Sequence, residues 1–245
     1  MDPQPEKEIG GASSLRGYSG VRITAPPRAA PPGDMSDTSV IALLQPDVDD
    51  RQRARILAGA ALAGVIFTVL AHEFGHWLAG LLVTGDVPDY LLVAVRQKVS
   101  SFTVAEGMTI WLAGPAFHLA ALTFLAMLSM RTGGHGARTT VALGAAVLFS
   151  LVVALASWAI ALATPPSEWS DDVPRAATFL RGPRMLWMNL MGAAYVATLG
   201  FPLVYWLRSI RRTSNTAMLL VPALVGAFEG LILLLAATWV VSLSL

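Results

Sequence analysis

The residues best suited to chemistry in this chain are five in a row, His72-Glu73-Phe74-Gly75-His76. Histidines at i and i+4 share one face of a helix, so both imidazoles can reach a single ion. The glutamate between them is the residue type that draws a proton from an attacking water. A zinc ion held by such histidines polarises a carbonyl for that attack. The pattern therefore points to zinc-assisted hydrolysis with Glu73 as general base. It lies inside an apolar run, where three ionisable groups in five residues are costly unless a function requires them. The plainer alternative is a pair of core histidines bonded to neighbouring helices, with Glu73 paired to one of them.

The elements that must position these residues follow from composition. Of 245 residues, 55% are hydrophobic and only 13% are charged, against about 25% charged in an ordinary soluble domain. Apolar runs near 56–83, 108–130, 139–163, 185–207 and 217–241 each reach the roughly 20 residues that a bilayer requires. The predicted fold is an all-α polytopic membrane protein with five transmembrane helices. Tyr90–Val95 and Val99–Glu106, β-branched and aromatic runs around Arg96-Gln97-Lys98, read as a short β-hairpin over 90–106 after the first helix. Residues 1–50, rich in Pro, Gly and Ser without a basic and then apolar leader, read as a disordered tail. Residues 51–245 then form the membrane domain. Eight arginines flank the spans on one side (51, 53, 55, 131, 138, 208, 211 and 212). Five basic residues lie on the other (Arg96, Lys98, Arg175, Arg181 and Arg184), a bias towards a cytoplasmic N-terminus. The net charge of +1 gives no basic surface for nucleic acid, so the expected partners are the lipid bilayer and a membrane protein or peptide substrate.

A catalytic zinc needs a third protein ligand and an open position. Cysteine is absent, which leaves carboxylates and histidines. The His72–His76 turn lies in the last third of the first span. Two further crossings return the chain to the same side at residues 164–184, which contain Glu168, Asp171 and Asp172. Asp171 or Asp172 can fold back onto the metal from there. Glu229, mid-way along the fifth span, is the rival ligand, or an interhelical hydrogen bonder. Ala113-Gly114-Pro115-Ala116-Phe117-His118 opens the second span, where Gly and Pro permit close helix approach and a local break. His118 either orients a substrate carbonyl, as a second catalytic residue, or packs against a backbone partner. Asn189 reads as an interhelical hydrogen bonder. His135, in a Gly-rich turn, has no assigned role.

His72-Glu73-Phe74-Gly75-His76 in a transmembrane helix, a following hairpin, and the Gly114-Pro115 segment opening the next span together resemble the site-2 protease family of intramembrane zinc metallopeptidases. The likeness covers roughly residues 60–130. It implies His72 and His76 as zinc ligands and Glu73 as catalytic base, and it puts His118 where the family usually has Asn. The better-known members take their third ligand from an Asp-Gly motif near a later span, which this chain lacks after residue 130. The chain is similar instead to a divergent bacterial branch with an Asp in a loop after the third span. Asp172, followed by Val173 and Pro174-Arg175, fits that loop better than Asp171. The resemblance implies a multi-pass protein of a bacterial cell membrane that cleaves a membrane-embedded substrate, extended as a strand along the hairpin. Two other functions fit the same residues. One is a metal-binding membrane protein without proteolysis, such as a pseudoprotease. The other is a small metal or proton transporter, against which the lack of an inverted repeat counts.

Overall fold

Five apolar runs become five long helices in the computed structural model, which describes residues 50–90, 94–97, 101–131, 136–212 and 216–244. These are α1 (Asp50–Thr84), α2 (Val104–Arg131), α3 (Gly136–Ala163), α5 (Arg184–Arg211) and α6 (Thr216–Ser244). The short helix α4 (Asp172–Ala177) lies between α3 and α5. All five long helices are apolar enough to cross a membrane, and the protein is an all-α polytopic membrane protein. The helices overrun the apolar stretches because polar ends continue the backbone ladder beyond the hydrocarbon. With 35 residues, α1 is about 52 Å long, well over a bilayer core of about 30 Å. Its surplus is the basic first turns, with Arg51, Arg53 and Arg55. It stops where Gly85 takes a left-handed φ of 75° and donates its N–H to the Leu81 carbonyl at 2.9 Å, a conformation that glycine adopts without a Cβ clash.

The packing departs from that of a soluble protein at its surface. Large apolar side chains are both buried in the core and exposed on the outside, where the lipid lies. Val141, Leu143, Ala145, Ala146 and Val147 bury the middle of α3, whereas Phe201, Phe228, Leu235 and Trp239 are more than 60% exposed. At Gly64 a Cβ would lie 2.9 Å from the Ala142 Cα, so α1 and α3 meet backbone to backbone. Such close approach is how helices associate in lipid, where no hydrophobic force separates helix from solvent. The helices α1 and α3 are central. α2 and α6 pack on both, and α5 packs chiefly on α3.

The hairpin differs from the expectation. Its strands are β1 (Asp89–Tyr90) and β2 (Val95–Arg96), paired antiparallel with Asp89 opposite Arg96 and Tyr90 opposite Val95. The expected first strand Tyr90–Val95 is thus divided between two strands, and of the expected second one, residues 104–106 belong to α2 instead. Thr103-Val104-Ala105-Glu106 is a capping box that starts α2: the Thr103 N–H donates to Glu106 Oε2 at 2.7 Å, and the Glu106 N–H donates to Thr103 Oγ1 at 3.3 Å. Reciprocal capping of this kind satisfies two otherwise orphaned donors, which outweighs the β-propensity of Val104. The predicted tail up to residue 49, the hairpin segments 91–93 and 98–100, and His135 lie outside the described residues.

Candidate metal centre

His72 and His76 lie one turn apart on α1, and their Nε2 atoms are 3.2 Å from each other. Asp172, the first residue of α4, brings its carboxylate onto both: Oδ2 is 2.7 Å from His72 Nε2 and Oδ1 is 3.0 Å from His76 Nε2. Among the described residues, these three form the group whose donor atoms converge closely enough for one ion. Two nitrogens bound at 2.0–2.1 Å in a tetrahedral site stand about 3.3–3.4 Å apart, close to the separation here.

Proton accounting makes a cation the better partner. Nδ1 of His76 lies 2.7 Å from the Ile110 carbonyl. A carbonyl only accepts, so Nδ1 carries the proton, and the neutral ring turns the lone pair of Nε2 towards the Asp172 carboxylate. Two acceptors at 3.0 Å repel unless a positive charge lies between them, a proton on Nε2 or a metal ion in its place. Orienting a ligand histidine through its other nitrogen is the usual way a protein fixes its tautomer for metal. Burial alone would raise the Asp172 carboxyl, but positive charge and N–H donation from the facing His72 and His76, present when no metal takes their Nε2 lone pairs, hold it well below the usual carboxylate range. It is therefore an anion at neutral pH, as a ligand must be.

The second span shapes the seat for His76. A Cβ at Gly114 would overlap Nε2 of His76, so only glycine admits the ring there. Pro115 lies inside α2 and has no N–H to offer the helix ladder. That break lies beside the Ile110 carbonyl, which takes the imidazole proton. Gly75 fits the other side: a Cβ there would lie 2.9 Å from the Ala113 carbonyl carbon and from Phe117 Cβ.

Asp172 is delivered by an anchored segment. After α3 the chain makes a 3₁₀ turn at Pro166–Glu168. The Trp169 side chain is then buried against Ala161, Ala177 and Met188. Its indole N–H donates to the carbonyls of Ala161 at 3.0 Å and Thr164 at 3.3 Å. α4 buries Pro174, Ala176 and Ala177, and its first turn faces α1.

A cavity of about 530 Å³ opens on the three groups. Glu73 lines it, buried, within electrostatic reach of His72, His76 and Asp172. Ala94, Val95 and Gln97 of the hairpin form part of the wall, and the Gln97 side-chain amide donates to the His76 carbonyl at 3.4 Å. Side-chain exposures of 21% for His72 and 21% for Asp172 face this space and leave room for a further ligand. Comparison with models of protein families, with curated proteins and with solved structures finds no match to this chain.

Of the two adjacent aspartates, Asp172 meets the imidazoles. Asp171 also lines the cavity, but it is the exposed N-cap residue of α4 and does not join the converging group. Glu229 is half-buried on α6 and is not among the cavity residues. His118 lines the cavity with its ring centroid 5.8 Å from that of His72. It is also bonded elsewhere, Nε2 to Ser150 Oγ at 2.5 Å and the ring to the Thr68 backbone. Asn189 accepts from the Trp158 indole at 3.0 Å, joining α5 to α3 as an interhelical hydrogen bonder. Sequence reasoning passed over Ile110, Gln97, Trp169 and Tyr195. Ile110 acts through its backbone and leaves no side-chain signal. The others are polar or indole-bearing residues in or beside apolar runs, which is a signal in itself.

Proposed function

We propose that this chain is an intramembrane zinc metalloprotease of the site-2 protease type, hydrolysing a peptide bond of a membrane-embedded substrate. The observation that carries the reading is the convergence of His72, His76 and Asp172, from positions a hundred residues apart, on one point beside Glu73. A His₂-carboxylate set without cysteine suits a tetrahedral zinc with one open position. A zinc ion there would supply a Lewis acid for the substrate carbonyl and the attacking water. The Ile110 carbonyl fixes the His76 tautomer with its proton on Nδ1, leaving Nε2 as the ligand nitrogen, and Asp172 supplies the negative charge. Glu73 removes a proton from the attacking water as its oxygen bonds to the carbonyl carbon. As the C–N bond breaks, Glu73 returns that proton to the departing amine. The membrane-embedded cavity keeps bulk water from competing for these hydrogen bonds. Its aromatic wall of Trp111, Phe149 and Trp158 suits an apolar substrate side chain. The transporter reading has less support, because the cavity holds a carboxylate, Glu73, beside the three converging donors that ligation does not use.

The test is elemental analysis combined with cleavage of single-span reporter proteins reconstituted with the enzyme. Wild type should hold about one zinc per chain and cut a reporter. Glu73→Gln should keep the zinc and lose cleavage by about 10²–10⁴-fold. A wild-type protein without zinc, or undiminished cleavage by Glu73→Gln, would sink the reading.

A further inference from the structure

Amide hydrolysis concentrates negative charge on the former carbonyl oxygen, and a hydrogen-bond donor aimed at that oxygen is often the largest protein contribution to catalysis. Several side-chain donors of the cavity are already committed. Gln97 donates to the His76 carbonyl, the Trp158 indole donates to Asn189, and the Thr238 hydroxyl donates to the Leu234 carbonyl at 2.8 Å. His118 and Ser150 bond to each other and to backbone carbonyls. Tyr195 differs. It lines the cavity on the α5 face that carries Met188, Gly192 and Val196, at the i, i+4, i+7 and i+8 spacing of a single stripe. Its ring packs against the central apolar core. Its hydroxyl makes no hydrogen bond among the described residues, yet it lies within electrostatic reach of the Asp172 carboxylate. A phenol is protonated at neutral pH, so this hydroxyl is a neutral donor beside the converging ligands.

We propose that Tyr195 is a further catalytic residue, its hydroxyl donating a hydrogen bond to the substrate carbonyl oxygen. The inference rests on the hydrolase reading. The rigid, core-packed ring holds the hydroxyl in place before substrate arrives, so no ordering cost falls on the reacting complex. A merely structural Tyr195 would instead hold Asp172 in place, and its loss would show as loss of metal.

The experiment uses the full-length, zinc-loaded protein in vesicles and acetohydroxamate, a small bidentate zinc ligand whose bound oxygens carry negative charge. Its affinity and the zinc content are measured in wild type, Tyr195→Phe and, as a control on the same helix outside the cavity, Tyr205→Phe. Removing only the hydroxyl keeps the packed ring. Tyr195→Phe should retain its zinc and bind acetohydroxamate about tenfold or more weakly, the loss expected for a hydrogen bond to a charged group. Tyr205→Phe should match wild type. Equal affinity in Tyr195→Phe at equal zinc content overturns the proposal. So does loss of zinc from that variant, which makes the residue a support for Asp172. If zinc-loaded wild type binds no acetohydroxamate, the metal has no open position and the hydrolase reading itself fails, whatever Tyr195 does.

Discussion

A single methyl group on α2 should empty the site. In Gly114→Ala the new Cβ would overlap Nε2 of His76 and lie 2.7 Å from Cδ2 and Cε1 of the same ring. Carbon atoms are comfortable at about 3.5 Å or more, so the ring must withdraw by roughly 0.8 Å. Parting the helices instead would open the close contact that Gly75 makes with the Ala113 backbone and would itself carry His76 away from α2. The imidazole must therefore swing off the Ile110 carbonyl, now 2.7 Å away. A metal site tolerates ligand displacements of about 0.2 Å, a quarter of what the methyl demands. Loss of an orienting hydrogen bond alone costs 10–100-fold in metal affinity, so the expected fall for Gly114→Ala is about 100-fold or more. Competitive zinc titration against a chromogenic chelator measures it, with far-ultraviolet circular dichroism to show that the helices persist. Gly59→Ala is the matched control, since a Cβ at Gly59 meets nothing within 4 Å and alanine favours the helix. Wild-type zinc affinity in Gly114→Ala would refute the seating of His76 described above.

Three further outcomes are expected. Asp172→Ala should lose most of its zinc by elemental analysis, whereas Asp171→Ala and Glu229→Gln should keep it; the reverse order would move the third ligand elsewhere. Trp169→Ala removes the buried anchor of the Asp172 segment and should lower zinc affinity about tenfold or more while helix content holds, read by the same titration. Thr103→Ala breaks the capping box of α2 and should cost about 0.5–2 kcal/mol of stability, seen as a lower denaturation midpoint with zinc stoichiometry unchanged.

The five spans were legible because each is a long apolar run with basic residues beyond its ends, and lipid leaves helices as the only way to satisfy such a backbone. The limits of the helices were less legible. Polar residues such as Asp50 and Arg211 continue a helix without any hydropathy signal, so α1 starts and α5 ends outside the apolar stretch. The hairpin was legible only as a hairpin after the first helix. Tyr90 and Val95, read as the two ends of one strand, lie opposite each other on two, and Val99–Glu106 was read by β-propensity while Thr103 and Glu106 carried the stronger, positional signal of a helix start. A capping box outranks composition because it names specific donors and the acceptors that satisfy them.

The site divides along the same line between local pattern and tertiary delivery. His72, Glu73 and His76 are fixed relative to one another by helical pitch, so spacing alone puts both imidazoles on one face. Gly114 and Pro115 were legible as a break, but not as the seat of His76, since nothing local says which neighbour fills the dent. Asp172 lies in α4, and two facts decide it against Asp171. Asp171 has the extended backbone of a cap, φ −76° and ψ 155°, so the adjacent side chains diverge. The helix that follows is pinned by Trp169 beneath α3 and α5, which aims its first turn at α1. Tyr195 lies furthest from legibility. No motif surrounds it, and its hydroxyl gains meaning only because Gln97, Trp158, Thr238 and His118 are already bonded. A phenol unbonded among the described residues, with its ring in the core and its hydroxyl in reach of Asp172, is a property of the whole packing, which no window of sequence contains.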